Sequence, residues 1–289
     1  MLNYDAVKSW PFEPVVQTYT ERDCMLYALG LNVGADPMDR GELRYVFEKD
    51  LATIPTMATV LGSPGFWWRD PATGADWVKL VHGEQSIRVF KPLPASATIV
   101  AHNRVMSITD KGVGKGAIVV IKRGITDRAS GDLLAEVVHG TFLRGDGGYS
   151  EGNAKSDPGP VALPAPPEGA PAIEVDLPTL EQQALIYRLS GDYNTLHADP
   201  DIAAAAGFKR PILHGLCTYG MAAHAVMRAV THYDATRIQA LAVRFTSPVY
   251  PGETVRIQLW PRDSSSFHLR GRVDARNVVV LNNGVVELS

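Results

Sequence analysis

Two pairs of prolines constrain this chain more than any other feature. Pro55 and Pro92 stand 37 residues apart, and so do Pro211 and Pro248. Other landmarks keep the same order. Tyr27-Ala28-Leu29-Gly30 is echoed by Tyr187-Arg188-Leu189-Ser190-Gly191 with one residue inserted. A spacing held over that length, with the same sequence of elements, argues for a duplicated unit. Each copy opens on a helix start, Thr20 with Asp23 three residues on, then Thr179 with Gln182 at the third position. Each continues with an apolar helix. The first is expected over Pro55 to Leu61, stopped by Gly62-Ser63-Pro64. The second follows Pro211-Ile212-Leu213-His214-Gly215 and runs long through Met221, Ala225 and Val226.

Each copy then turns to strands rich in Val and Ile. They are expected at 84–91, 97–109, 116–126 and 133–143, and at 238–247, 254–261, 267–274 and 277–287. A further short strand is expected at Leu43 to Phe47. Turn-length connections imply antiparallel pairing. The layer arrangement that fits is a sheet wrapped around one long buried helix, made twice. The expected class is therefore α+β, with units at 1–145 and 173–289 joined by a Pro/Gly-rich linker at 146–172.

The chain has 289 residues, 45% of them apolar, which is ample for two packed halves. A net charge of −3 without a basic patch speaks against nucleic acid as a partner. Cys24 and Cys217 lie far apart with no CxxC, so no disulfide framework or zinc ribbon is expected, which suits a reducing cytosol. Met1 to Pro14 has no apolar signal core, and no apolar run is long enough to span a bilayer. The expectation is a cytoplasmic protein with no membrane partner. No His, Cys and carboxylate spacing suggests a metal, and no Gly-rich loop follows a strand, so no cofactor is expected.

The chemistry concentrates in Ser190-Gly191-Asp192-Tyr193-Asn194-Thr195-Leu196-His197, just before the helix-cap signal Asp199-Pro200-Asp201. Asp192 and His197 can exchange protons near neutral pH, and Asn194 can hold a water or a carbonyl. Gly191 permits a sharp exit from the preceding helix. The first half has nothing comparable after Gly30, where Leu31-Asn32-Val33-Gly34-Ala35-Asp36-Pro37 stands. One copy therefore carries the reacting groups, and the other is free to widen into a substrate cavity. Phe66, Trp67 and Trp68 are read as loop packing rather than pocket lining.

Tyr187-x-Leu-Ser-Gly-Asp-x-Asn-x-Leu-His197 resembles the signature of the MaoC-like (R)-specific enoyl-CoA hydratases, or hydratase 2. The resemblance extends to Pro211-Ile-Leu-His-Gly-Leu-Cys-Thr-Tyr-Gly220, to Arg244-Phe245 with Pro248-Val-Tyr-Pro-Gly252, and to His82-Gly-Glu-Gln85 with Lys91-Pro-Leu-Pro94. The signature usually has Pro where Thr195 stands, which loosens the loop but leaves every functional group in place. The resemblance implies a double hot-dog fold with one active site, formed mainly by the second half. It implies reversible syn hydration of trans-2-enoyl-CoA to (3R)-hydroxyacyl-CoA, with coenzyme A as part of the substrate. Asp192 and His197 would hold and activate one water, Asn194 would fix it or the substrate, and Gly215 would offer a backbone N–H. His82, Gly83, Lys111 and Phe245 match substrate or coenzyme contacts, although Lys111 reads equally as a solvated surface lysine. His214 reads as a structural hydrogen bonder. Pairing of two chains into a homodimer is a further implication. The rival readings are an acyl-CoA thioesterase, a dehydratase acting on an acyl-carrier protein, and a non-catalytic acyl-CoA-binding module.

Overall fold

The computed structural model describes residues 1–152 and 155–289. Ten strands make one antiparallel sheet: β1 (Val15–Tyr19), β2 (Leu80–Val89), β3 (Ala97–Asp110), β4 (Ala117–Asp127), β5 (Leu133–Leu143), β6 (Ile173–Pro178), β7 (Ile238–Phe245), β8 (Thr254–Pro261), β9 (Ser266–Val273) and β10 (Val278–Leu288). Their order is β1-β3-β4-β5-β2-β7-β10-β9-β8-β6. The second five strands mirror the first five about the β2–β7 seam. The two copies are offset by 156 residues at Pro55/Pro211 and Pro92/Pro248. Ser86 pairs with Ala242 at that same offset, so the pseudo-two-fold axis passes through this pair. Tyr27 and Tyr187, matched in the repeat, meet in the core with ring centroids 5.9 Å apart. The eight expected strands are present, and edge strands β1 and β6 add to them.

The second copy holds the expected long helix, Gly215–Ala229, with every residue from Cys217 to Met227 buried. Ala222, Ala223 and Ala225 cost no side-chain entropy there, and a helix apolar on all sides belongs in a core. Tyr219 fixes its height by donating to the Leu241 carbonyl at 2.8 Å. The first copy differs from expectation. Pro55–Thr59 forms only a short 3-10 helix. Thr56 and Thr59 are β-branched, the Thr59 hydroxyl donates to the Thr56 carbonyl at 2.8 Å, and Gly62 turns the chain at φ +64°. The loose carbonyls of Thr59 and Leu61 are taken by the buried guanidinium of Arg123 on β4, at 3.2 and 2.5 Å. Arg123 also donates to Asn103 Oδ1 at 3.1 Å. Where the second sheet faces a full helix, the first faces a short turn held by an arginine.

Two local expectations also fail. Leu43 to Phe47 is not a strand: Asp39 caps a helical turn at Arg40–Leu43, and turns follow. Glu42 in that turn is buried because its carboxylate takes the Gly34 N–H at 2.7 Å and lies 3.0 Å from His224 Nε2 on the long helix. Thr179 does not open a capping box. Its hydroxyl donates to the Glu253 carbonyl at 2.7 Å, and the helix starts at Gln183. At Thr20 the capping box is present as read.

Trp68 and Trp67 stack at 4.0 Å, and Trp67 meets Trp10 and Phe12 at 4.9 and 5.1 Å. Trp68 belongs with Leu2, Val7 and Tyr149 to a second, smaller core over the end of β3–β5, and Trp67 packs against it. This is the packing role expected for the Trp pair, whereas Phe66 is exposed.

Candidate active site

The octad is built by the chain's own polar groups. Gly191 sits at φ +125°, a conformation only glycine adopts freely, and releases the chain from the helix ending at Ser190. Asp192 Oδ1 then accepts from the Asn194 N–H at 3.2 Å, and Asn194 Oδ1 from the Leu196 N–H at 3.1 Å. These local turns lead into the single 3-10 turn Thr195–His197, which carries His197 inward. Thr195 occupies the first position of that turn, and its carbonyl accepts from Ala198 and Asp199 at 3.0 and 2.8 Å. The turn is closed by hydrogen bonds without the proline that the family signature places there. Asn194 is exposed, and its cap bond occupies one lone pair of Oδ1 and leaves the amide NH2 free to meet a ligand.

His197 Nδ1 lies 2.8 Å from the Ile212 carbonyl. A carbonyl only accepts, so Nδ1 carries the proton and the neutral ring leaves Nε2 as a bare lone pair. Burial is the main influence on this imidazole and holds its pKa below the ordinary value, so it is neutral at pH 7. The Asp192 carboxylate pulls in the other direction.

His214 stacks on His197, centroids 3.7 Å apart and planes 26° from parallel. Its Nε2 donates to the Asp192 backbone carbonyl at 3.1 Å, which ties the start of the long helix to the octad. Burial first, and then the neighbouring His197, push its pKa down to about 3. The structural reading of His214 fits this geometry: a neutral ring that fixes the plane of His197. Asp192, His197 and His214 each bring a ligand-capable atom within 4.8 Å of the others, a grouping that sequence spacing did not suggest. One nitrogen of each ring is already on a carbonyl, His197 Nδ1 on Ile212 and His214 Nε2 on Asp192, which leaves one nitrogen of each ring free.

The first half closes the other side. His82 and Gly83 lie at a bulge in the β2–β5 pairing. The His82 Nε2 donates to the Glu84 carbonyl at 3.1 Å, and its ring packs edge-on to Phe245 at 5.0 Å. Burial lowers its pKa to about 4, against the smaller upward pull of the Asp192 charge across the site. Phe245 in turn covers Gly215, where a Cβ would stand 3.2 Å from the ring. Among the described residues no acceptor in the chain takes the Gly215 N–H, which points from the positive end of the long helix. Asp192, His197, His82, Gly215 and Phe245 therefore converge, while Gly83 faces Gly140 and Phe142 on β5. Lys111 does not join them. It sits exposed at the end of β3 in the β3–β4 hairpin, with no side-chain partner among the described residues.

Sequence reasoning assigned no role at the site to three contributors: the Ile212 carbonyl, His139 at 5.6 Å from His82, and Arg123, whose charge acts on both of those rings. Arg123 left a signal. It occupies an inward position in the alternation Ala117, Val119, Ile121, Arg123, Ile125, where every other member is apolar.

Comparison with known proteins agrees with this architecture. An MFE-2 hydratase 2 N-terminal domain matches residues 17–145, and a MaoC like domain matches residues 163–283. The 3-hydroxyacyl-thioester dehydratase Y of Mycobacterium tuberculosis is 40% identical over 284 residues, covering 95% of this chain and 94% of that protein. The peroxisomal enoyl-CoA hydratase 2 of Arabidopsis thaliana is 37% identical over 283 residues, covering 91% and 88%. A MaoC-like dehydratase from Phytophthora capsici superposes with a TM-score of 0.86 at 31% identity, covering 100% of this chain and 99% of the other. With the duplicated hot-dog sheet and the octad of its second half, this chain belongs to the MaoC-like hydratase 2 family.

Proposed function

We propose that the chain is an (R)-specific 2-enoyl-CoA hydratase, a hydro-lyase that adds water reversibly to trans-2-enoyl-CoA and gives (3R)-hydroxyacyl-CoA. The observation that carries the reading is the Nδ1–H bond from His197 to Ile212, which leaves a neutral base aimed beside Asp192. Asp192 and His197 hold one water between them. His197 Nε2 takes a proton as the water oxygen bonds C3. The electron pair of the C2–C3 double bond moves toward the thioester oxygen, and the Gly215 N–H stabilises the charge there. C2 then takes a proton on the same face from the same pair, which completes a syn addition. Coenzyme A is part of the substrate, and no step calls for a metal. Asn194 supports the water or substrate through its free amide, and Lys111 meets the coenzyme outside the reacting cluster.

Hydration of crotonyl-CoA, followed by loss of the enoyl absorbance together with a free-thiol assay, tests the reading. Loss of absorbance without thiol release is expected. Thiol release without hydration indicates a thioesterase and overturns it, and binding with neither change indicates a non-catalytic module. The short first-half turn at Pro55–Thr59 favours a long or bulky acyl chain, because it leaves the first sheet without the helix that fills the second.

Among the described residues no helix is long and apolar enough to cross a membrane. A cytoplasmic location and a homodimer complete the proposal. The peroxisomal relative makes the peroxisome the competing compartment. Localisation of the tagged chain, and its mass in solution, decide these two points.

A further inference from the structure

The inner face of the first sheet is polar at places where the second is apolar. At the repeat offset of 156 residues, Asn103 on β3 matches Leu259 on β8. Asn103 pairs with Arg123, whereas Leu259 pairs with Leu269. By the same offset Gln85 matches Leu241; Gln85 pairs with His139, and Leu241 with Val286. His82 likewise matches Ile238; His82 pairs with Thr141, and Ile238 with Leu288. All of these second-half residues belong to the apolar core that also holds the long helix.

Their first-half counterparts form a polar stripe that starts at the reacting groups. His82 stands beside them, and the ring of His139 follows at 5.6 Å. Arg123 is opposite Val137 on the next strand, two residues along from His139, a step of roughly 8 Å. Buried polar groups cost stability unless each is satisfied, and Arg123 is not fully satisfied. It is 5% exposed. Its Nε and Nη1 donate to Asn103 and to the Thr59 and Leu61 carbonyls, and among the described residues Nη2 has no acceptor. Among the described residues no carboxylate pairs with it. The two imidazoles are neutral, because burial, with the charge of Arg123 added to it, holds both well below the ordinary value. The stripe thus ends on a buried positive charge without a counter-ion. A purely hydrocarbon acyl chain lying along it would strip water from that charge and return no bond.

We infer that Arg123 is a specificity-determining residue that takes a carboxylate at the far end of the acyl chain through its free Nη2, so that the preferred substrate is an ω-carboxylated enoyl-CoA. This choice rests on the hydratase reading and adds the chemistry of the acyl chain to it. A guanidinium supplies a carboxylate with both a charge-assisted hydrogen bond and the opposite charge, and the carboxylate in turn compensates a cation that the chain itself leaves unpaired.

The test compares kcat/KM for trans-2-decenoyl-CoA, its ω-carboxy counterpart and the ω-methyl ester of that counterpart, in the unaltered chain and in Arg123→Gln. The unaltered chain is expected to favour the carboxylate over the plain chain by roughly tenfold, through KM, and the uncharged ester is expected to lose that advantage. In Arg123→Gln the preference for the carboxylate should disappear. A folding defect lowers all three substrates alike and leaves their ratios where they were. The comparison of carboxylate, ester and plain chain needs no variant, so it decides the matter even if Arg123→Gln does not fold. Equal or faster turnover of the plain chain by the unaltered protein overturns the inference, as does an ester handled as well as the carboxylate, or a carboxylate preference that survives in Arg123→Gln. Failure of the unaltered chain to hydrate these thioesters and crotonyl-CoA alike counts against the hydratase reading itself, a result distinct from all of these.

Discussion

Arg123→Leu tests the device that replaces the central helix in the first half. The guanidinium supplies bonds to the Thr59 and Leu61 carbonyls and to Asn103 Oδ1, all in a buried setting. Burial lowers its pKa only to about 10, so it is charged throughout the neutral range. Leucine leaves three acceptors without that donor, at about 2 kcal/mol each. Its own apolar burial returns about 2 kcal/mol. The net loss is about 4 kcal/mol, within the range for breaking a buried charged contact. For a chain of this size that corresponds to a fall in Tm of about 8 °C, read by circular dichroism. Asn103→Leu shares the network, so the double variant should lose less than the sum of the single ones. A Tm for Arg123→Leu within about 2 °C of the unaltered chain would refute the idea that the arginine holds this turn.

Asp192→Asn and His197→Gln, if folded, should each lose most turnover while binding substrate, and a near-normal rate in either removes that residue from the chemistry. Asn194→Ala should slow the reaction less and cost about 1 kcal/mol of stability, since its Oδ1 caps the 3-10 turn; a loss as deep as that of Asp192→Asn would contradict its supporting role. The rate should have an acid limb below the ordinary imidazole value of 6.5, because His197 must be neutral and burial holds its pKa down; an acid limb above 6.5 would contradict this. Stability should follow with the same sign. His82 and His214 bind protons less readily folded than unfolded, so their contribution is complete above 6.5 and drains as pH falls toward 4 and 3. By pH 5 each should have cost on the order of 2 kcal/mol, measured as a lower urea midpoint, and a higher midpoint would reverse the sign. Dialysis against a chelator should leave the hydration rate unchanged; loss of rate restored by a divalent ion would make the Asp192, His197 and His214 cluster a metal centre.

The duplication was legible because it is written in landmarks that resist substitution: prolines at fixed spacing and strands separated by Gly, Pro and Asp. The strand positions and their antiparallel pairing followed from it, whereas the registers and the seam, where Ser86 meets its repeat partner Ala242, did not. The octad was legible as chemistry because its polar groups are local, and Asp192, Asn194 and His197 sit within six residues. What escaped was the set of contacts made at long range. No sequence pattern announces that the Ile212 carbonyl selects the tautomer of His197, since that bond spans fifteen residues. Nor does one show that His214 lies flat on His197. Pro55 to Leu61 reads as a helix because it is mostly apolar and opens on a proline at the same place in the repeat as Pro211. Its length was decided by Thr56, Thr59, Gly62 and an arginine arriving from β4. Leu43 to Phe47 was misread for a related reason: Glu42 is drawn inward by His224, a residue of the other half, and the chain folds as turns around that contact.

In the proposed reaction one water, held by Asp192 and His197, adds across the double bond on a single face. Hydration of crotonyl-CoA in D2O, with the product's configuration read at C2 and C3, tests it most directly. The expected product is the 3R alcohol with one deuterium at C2 on the same face as the hydroxyl, and almost none of it from Asp192→Asn. A 3S alcohol, deuterium on the opposite face, or scrambled configuration at C2 would contradict it.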